Sequence, residues 1–127
     1  MQWQGTEVHA VVAHLGLIHG SRVRQVQRLG AFIEDHVPKG APLVVAGDFN
    51  DWGERLDEPM RAGGLSRAAL PGARRSLPTF PSRVPVFSLD RIYMRGFRCE
   101  GTMVPRGGGW ARMSDHLPLL AELVLES

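Results

Sequence analysis

Hydrophobic and polar positions alternate with two different periods along this chain, and their order predicts an α/β protein. Val8 to His14 is apolar and rich in β-branched residues, the profile of an interior strand. Ser21 then stands where it can cap a helix. Val23, Val26, Ile33 and Val37 recur at helical spacing with Leu29 beside them, while Arg22, Arg24, Gln25 and Arg28 fall mainly on the other face. Pro38, Gly40 and Pro42 end that helix, and Leu43 to Ala46 reads as a short buried strand. Strand, helix and strand in this order predict parallel pairing with a right-handed crossover.

The pattern weakens from Trp52 to Leu70, where Glu58 to Ala62 predicts a short helix stopped by Gly63-Gly64. Pro71 to Pro85 reads as loop, with Arg74, Arg75 and Arg83 around Thr79-Phe80-Pro81. Val86 to Met94 and Arg98 to Val104 predict two further strands, separated from the C-terminal segment by a Pro105–Gly109 loop. Leu117 to Leu125 is apolar enough for an interior strand, with Pro118 tolerable only at its start.

Chemistry enters at the strand ends. Leu43-Val44-Val45-Ala46 runs into Gly47-Asp48-Phe49-Asn50-Asp51, which presents a carboxylate and an amide at a strand's C-terminal tip, where open α/β sheets place ligand chemistry. His14 closes the first strand. Asp90 lies inside a strand-like run, where an unpaired charge is costly, and Asp115 stands beside His116 ahead of the last strand. Carboxylates, an amide and imidazoles in such places suit a hard divalent metal and a phosphate ester.

Composition narrows this reading little. The chain has 127 residues, 43% hydrophobic and 22% charged, ordinary for one globular domain or part of one. Its formal charge of +2 is too small to argue for nucleic acid by itself. Lys39 is the only lysine, so arginine, which suits bidentate phosphate recognition, carries nearly all the positive charge. Cys99 is the only cysteine, which excludes an intrachain disulfide and a thiolate zinc cluster and points to a reducing, cytoplasmic compartment. The first residues lack the basic and apolar regions of a signal peptide, and no apolar run is long enough to span a membrane.

Taken together, His14-Leu15 after a strand, Gly47-Asp48-Phe49-Asn50, Leu89-Asp90-Arg91-Ile92 and Ser114-Asp115-His116 resemble the motifs of the endonuclease/exonuclease/phosphatase superfamily, in its order and with similar separations. The resemblance covers the chain from Val8 onward and implies half of a four-layer α/β/β/α sandwich: a single mixed sheet with helices on one face. It implies a metal-dependent phosphoesterase, deoxyribonuclease-like, acting on DNA, RNA, a phospholipid head group or an inositol phosphate. His116 would lie next to the attacked phosphorus, oriented by Asp90. Asp115 would help hold Mg²⁺ or Mn²⁺. Asp48 and Asn50 would position water and phosphate or bind metal, and His14 would contact the phosphate or assist the leaving group.

The family's first half carries an early asparagine and the glutamate that binds the catalytic metal. Glu7, Glu34 and Glu54 do not stand in matching contexts. The expectation is therefore a C-terminal half, residues 1–127, with weak metal binding and little or no activity of its own. The other class of function is a non-catalytic, self-associating module that keeps a phosphate-binding site. Either way, a sheet meant to be covered on both faces predicts a homodimer through the bare face.

Overall fold

In a computed structural model, residues 2–16, 19–51, 55–70 and 77–126 are described. A small hairpin, β1 (Gln2–Trp3) with β2 (Thr6–Glu7), precedes β3 (His9–His14), α1 (His19–His36) and β4 (Leu43–Asp48). The chain continues through α2 (Asp57–Ala62), β5 (Ser66–Arg67), β6 (Asp90–Arg95), β7 (Phe97–Met103), α3 (Gly108–Met113) and β8 (Leu120–Leu125). The expected strand, helix, strand unit is present, with β3 parallel to β4. β6 pairs antiparallel with β4, and β5 with β6, giving a mixed four-stranded sheet in the order β3-β4-β6-β5.

One face of that sheet is covered. Leu43 and Val45 of β4 and Tyr93 of β6 pack with Val26, Ile33 and Val37 from α1 and its end, and with Met60 of α2 and Leu65. Burying each such aliphatic side chain contributes roughly 1.5–3 kcal/mol, so this layer holds the sheet to its helices.

The opposite face is open on the β3 side. Registered pairs Val12↔Ala46 and Ala46↔Ile92 share that face, and Val12 is 87% exposed. Near β6 it is partly roofed, because Ile92 lines a cavity of about 300 Å³ together with Leu70, Leu77, Thr102 and Leu119.

Four expectations are corrected. The two segments expected to be interior strands have one hydrogen-bonded neighbour each among the described residues: β3 is an edge of the mixed sheet, and β8 pairs with β7 alone. Apolar composition signals burial of side chains and does not count ladder partners. The mixed sheet is accordingly accompanied by separate β1-β2 and β7-β8 ladders. Ser21 stands two residues inside a helix that begins at His19, so it is not the cap. Gly108 and Gly109, expected in a loop, open α3, because Gly107 with φ 73° turns the chain and accepts from the Trp110 N–H. Arg74, Arg75 and Glu54 lie outside the described residues.

A buried ion pair ties the tips of β4 and β6. Arg91, 1% exposed, donates from Nη1 to Asp51 Oδ2 at 2.8 Å, from Nη2 to the Asp51 carbonyl at 3.0 Å and from Nε to the Ser88 carbonyl at 3.2 Å. Asp51 Oδ2 also accepts the Leu56 N–H at 2.6 Å, and Tyr93 extends the network by donating to Asp57 at 2.6 Å. Burial alone would raise the Asp51 pKa, but the Arg91 bond, the Arg55 and Leu56 backbone bonds and the Arg91 charge outweigh it and hold the carboxyl below its usual range.

Arg91→Met is expected to cost about 3–5 kcal/mol, since it strands the Asp51 charge in the interior. Urea unfolding at neutral pH measures this. A depressed carboxyl contributes stability above its unfolded pKa, about 3.9, and loses it as pH falls through the folded value, so the cost should shrink in acid.

Candidate active site

The backbone brings three loops to one end of the sheet before any side chain is considered. Past the paired strands, the Leu15 N–H donates to the Asp48 carbonyl and the Phe49 N–H to the Leu89 carbonyl, both at 2.9 Å. The ladder therefore continues across His14-Leu15, Asp48-Phe49 and Leu89-Asp90. Direct register pairs His14 with Asp48 and Asp48 with Asp90, so all three belong to the open face.

Gly47 makes that closeness possible: at φ 151°, a Cβ there would lie 1.8 Å from the Ala13 carbonyl oxygen. Beyond Asp48 the chain turns through Asn50, held at φ 49°, a left-handed conformation that asparagine tolerates. Asp48 Oδ1 accepts the Asn50 N–H at 2.9 Å, and Asn50 Nδ2 donates to the Leu15 carbonyl at 2.6 Å.

His116 stands between two of these carboxylates. Its Nδ1 lies 2.6 Å from Asp90 Oδ2, while its Nε2 faces Asp48 Oδ2 at 3.8 Å. His14 Nε2 approaches the same Asp48 oxygen at 3.7 Å from a side chain that is 78% exposed. Burial disfavours a charged His116 ring, but the hydrogen bond to Asp90 and the charges of Asp90, Asp48 and Asp115 together outweigh it, so its pKa is raised.

Thr79 was not foreseen. Fully buried, it donates from Oγ1 to Asp90 Oδ2 at 2.7 Å, so one carboxylate oxygen holds both the threonine and the imidazole. Its backbone carbonyl accepts the Leu117 N–H at 2.7 Å, Ser82 N–H donates to the Asp115 carbonyl at 2.8 Å, and the Phe80 ring lies 4.9 Å from the His116 ring. The 79–82 segment thus clamps the 115–117 segment. The signal available was a threonine in a loop without periodicity, which carries nothing until the loop's partner is known.

Asp48, Asp90 and His116 offer ligand atoms within 4.8 Å of one another, an acidic cluster able to take part in binding a cation. Asp115 lies outside it; its exposed carboxylate accepts from Ser114 Oγ at 3.4 Å. Asn50 commits its amide nitrogen to Leu15, which leaves its oxygen as the atom to offer. Asp51, adjacent to the motif, serves the ion pair with Arg91 instead.

The endonuclease/exonuclease/phosphatase family model matches residues 4–116. The chain belongs to this family. It is 34% identical over 122 residues to the uncharacterized protein YbhP of Escherichia coli K12, covering 95% of this chain and 48% of that one. The chain thus spans about half the length of the curated relatives it matches. Among solved structures it resembles a mannosyl-6-phosphatase from Bacteroides thetaiotaomicron (TM-score 0.70, 22% identity, 96% of this chain and 53% of that one). It also resembles D. rerio TDP2 complexed with a single-strand DNA product (TM-score 0.70, 17% identity, 97% and 58%). At these identities the structures establish a shared fold, and the two proteins act on different molecules.

The raised His116 pKa predicts its own removal: in a proton NMR titration, Asp90→Asn should bring the His116 midpoint down. A histidine whose folded pKa is raised contributes stability below its unfolded value, about 6.5, and loses it as pH rises through the folded one. The Asp90→Asn stability cost should therefore be larger at pH 5 than at pH 9. Equal cost at both would remove the charge interaction as its cause.

Proposed function

We propose that this chain supplies the phosphate-activating half of a metal-dependent phosphoesterase of the nuclease or phosphatase type. The observation that carries the reading is the 2.6 Å contact between Asp90 Oδ2 and His116 Nδ1, with the other ring nitrogen turned toward Asp48. Asp90 fixes the ring and favours its charged form, so that Nε2 can donate to a non-bridging phosphate oxygen as negative charge builds there. Asp48 Oδ2 is left either to orient the attacking water or to hold a metal ion. His14, exposed at the rim, is placed to contact the phosphate or the departing oxygen.

The donor set suits a hard divalent ion in part. Asp48 Oδ2 faces only the two imidazoles among the described residues, whereas Asp90 Oδ2 is already engaged twice. Asp48, with the Asn50 oxygen, would hold Mg²⁺ or Mn²⁺, while Asp115, expected to join them, lies outside the cluster; such an ion would neutralise charge on the phosphate. So small a set predicts weak binding by this chain.

Hydrolysis of bis(p-nitrophenyl) phosphate with Mn²⁺ tests the reading. Activity is expected to be low. Asp90→Asn, His116→Ala and the double variant should each lose the same fraction of it, because residues acting as one unit are not additive. Turnover that survives His116→Ala would overturn the assignment.

The open β3 side of the sheet is proposed to be covered by a second copy of the chain. Away from the acidic end where His14, Asp48 and Asp90 lie, Ala10, Val12 and Ala46 bring no charge to that face, so its complement is another such face, and a twofold arrangement closes without propagating. Sedimentation at micromolar concentration should find a dimer that Val12→Arg returns to monomer. A monomer in the unsubstituted chain would end the proposal.

A further inference from the structure

A cavity of about 800 Å³ lies away from the acidic site, between α1 and α2 on the covered side of the sheet. Its size falls within the range of small-molecule sites, roughly 300–1,000 Å³. Val26, Ile33 and Val37 from α1 and its end, Met60 of α2 and Leu65 form its floor, and all five are buried. We infer that this cavity binds a long-chain alkyl carboxylate, with the chain along the apolar floor and the carboxylate on Arg95. The inference is independent of the phosphoesterase reading, which rests on the other end of the sheet.

Arg95 supplies the need for an anion. It closes β6 at the end opposite Asp90, five residues and so roughly 17 Å along the strand. It pairs in register with Leu43, whose side chain belongs to the core under α1. Arg95 Nε donates to the Ala41 carbonyl at 3.0 Å, which fixes the guanidinium just beyond the end of α1. Its Nη2 is buried and has no acceptor among the described residues. A buried, charged donor left without an acceptor is costly, and an arriving oxygen removes that cost. With Nε taken by the backbone, the remaining fork is Nη1 with Nη2, which matches the two oxygens of a carboxylate.

The charge of the lining selects a single negative charge. Lys39 and Arg95 are its cations and Glu34 is its carboxylate, so one positive charge is in excess. Neither cation has an ion-pair partner among the described residues, whereas Arg91 has Asp51 and Arg67 has Asp57. A monoanion balances the excess. A phosphate monoester, nearly doubly charged at neutral pH, overshoots it, and a neutral head group brings no charge to balance it.

Gly30 provides the room. It stands in the interior of α1 and lines the cavity, and a Cβ there would meet nothing within 4 Å. Glycine inside a helix is less favourable than alanine, and no neighbour requires the smaller residue here. Its effect is to keep the α1 wall open for an alkyl chain.

Titration of the ¹⁵N-labelled chain with decanoate, 1-decanol and acetate, each below its solubility and micelle limits, tests this. Decanoate should move the Gly30 and Gly63 amides and bind at least about tenfold more tightly than either 1-decanol or acetate, a difference of roughly 1.4 kcal/mol. Arg95→Gln should reduce decanoate to the affinity of 1-decanol and leave 1-decanol unchanged. Gly30→Phe, which places a ring in the cavity, should abolish binding of both ten-carbon ligands while the far-UV circular dichroism stays that of the parent chain. Arg28→Gln, which removes a charge from α1 outside the lining, should keep the preference.

Decanoate binding no tighter than 1-decanol overturns the site, as does a preference that survives Arg95→Gln or binding that survives Gly30→Phe. Shifts confined to other parts of the chain, with Gly30 and Gly63 unmoved, overturn it as well. Should Arg95→Gln fail to fold, the comparison of the three ligands and the Gly30→Phe variant decide the matter between them.

Discussion

The site depends on the Asp51–Arg91 pair more than on any residue that would touch a substrate. Asp51 lies three residues beyond Asp48, and Arg91 is the neighbour of Asp90. Their 2.8 Å contact closes a buried loop of bonds directly behind the two carboxylates of the site. Two acidic side chains in register across β4 and β6 repel each other, and the strands would relieve this by fraying at their tips. The pair behind them opposes that, since separating it would strand two charges in the interior. The motif Leu89-Asp90-Arg91 thus carries two opposite jobs on adjacent residues: Asp90 faces the open side, and Arg91 anchors the covered one.

Sequence made the supporting frame legible wherever periodicity and punctuation agreed. The strand, helix, strand unit, the short helix at Glu58 to Ala62 and the strand around Asp90 all emerge within a few residues of their predicted bounds. Strand position within the sheet was not legible. Val8 to His14 is as apolar as an interior strand because its side chains pack on α1 at one face and its composition keeps the other face apolar. Nothing in that composition reports whether a neighbour lies along its outer edge.

The site was half legible for a similar reason. His14, Asp48, Asn50, Asp90, Asp115 and His116 have side chains whose chemistry attracts notice, and the motifs fixed their order. What the structure added is the division of labour among them. Asp90 and His116 form one unit, Asp48 faces both imidazoles, Asn50 spends its amide on the backbone, and Asp115 stands at the edge of an arginine-lined cleft. Thr79 escaped notice because it matters only through a tertiary contact that joins positions 79 and 90.

The bond from Asn50 to the Leu15 carbonyl has a consequence for the protein's shelf life. Asn50 sits in a left-handed turn with its amide nitrogen 2.6 Å from that carbonyl oxygen. Spontaneous deamidation would replace a donor with a carboxylate and leave two acceptors facing each other in a buried place, with no proton between them. The His14 loop would then lose its side-chain tether to the Asp48 loop and keep the backbone bond from Leu15 N–H to the Asp48 carbonyl. One slow chemical lesion, invisible in mass except for a single unit, would age the site from beneath while leaving Asp48, Asp90 and His116 chemically intact.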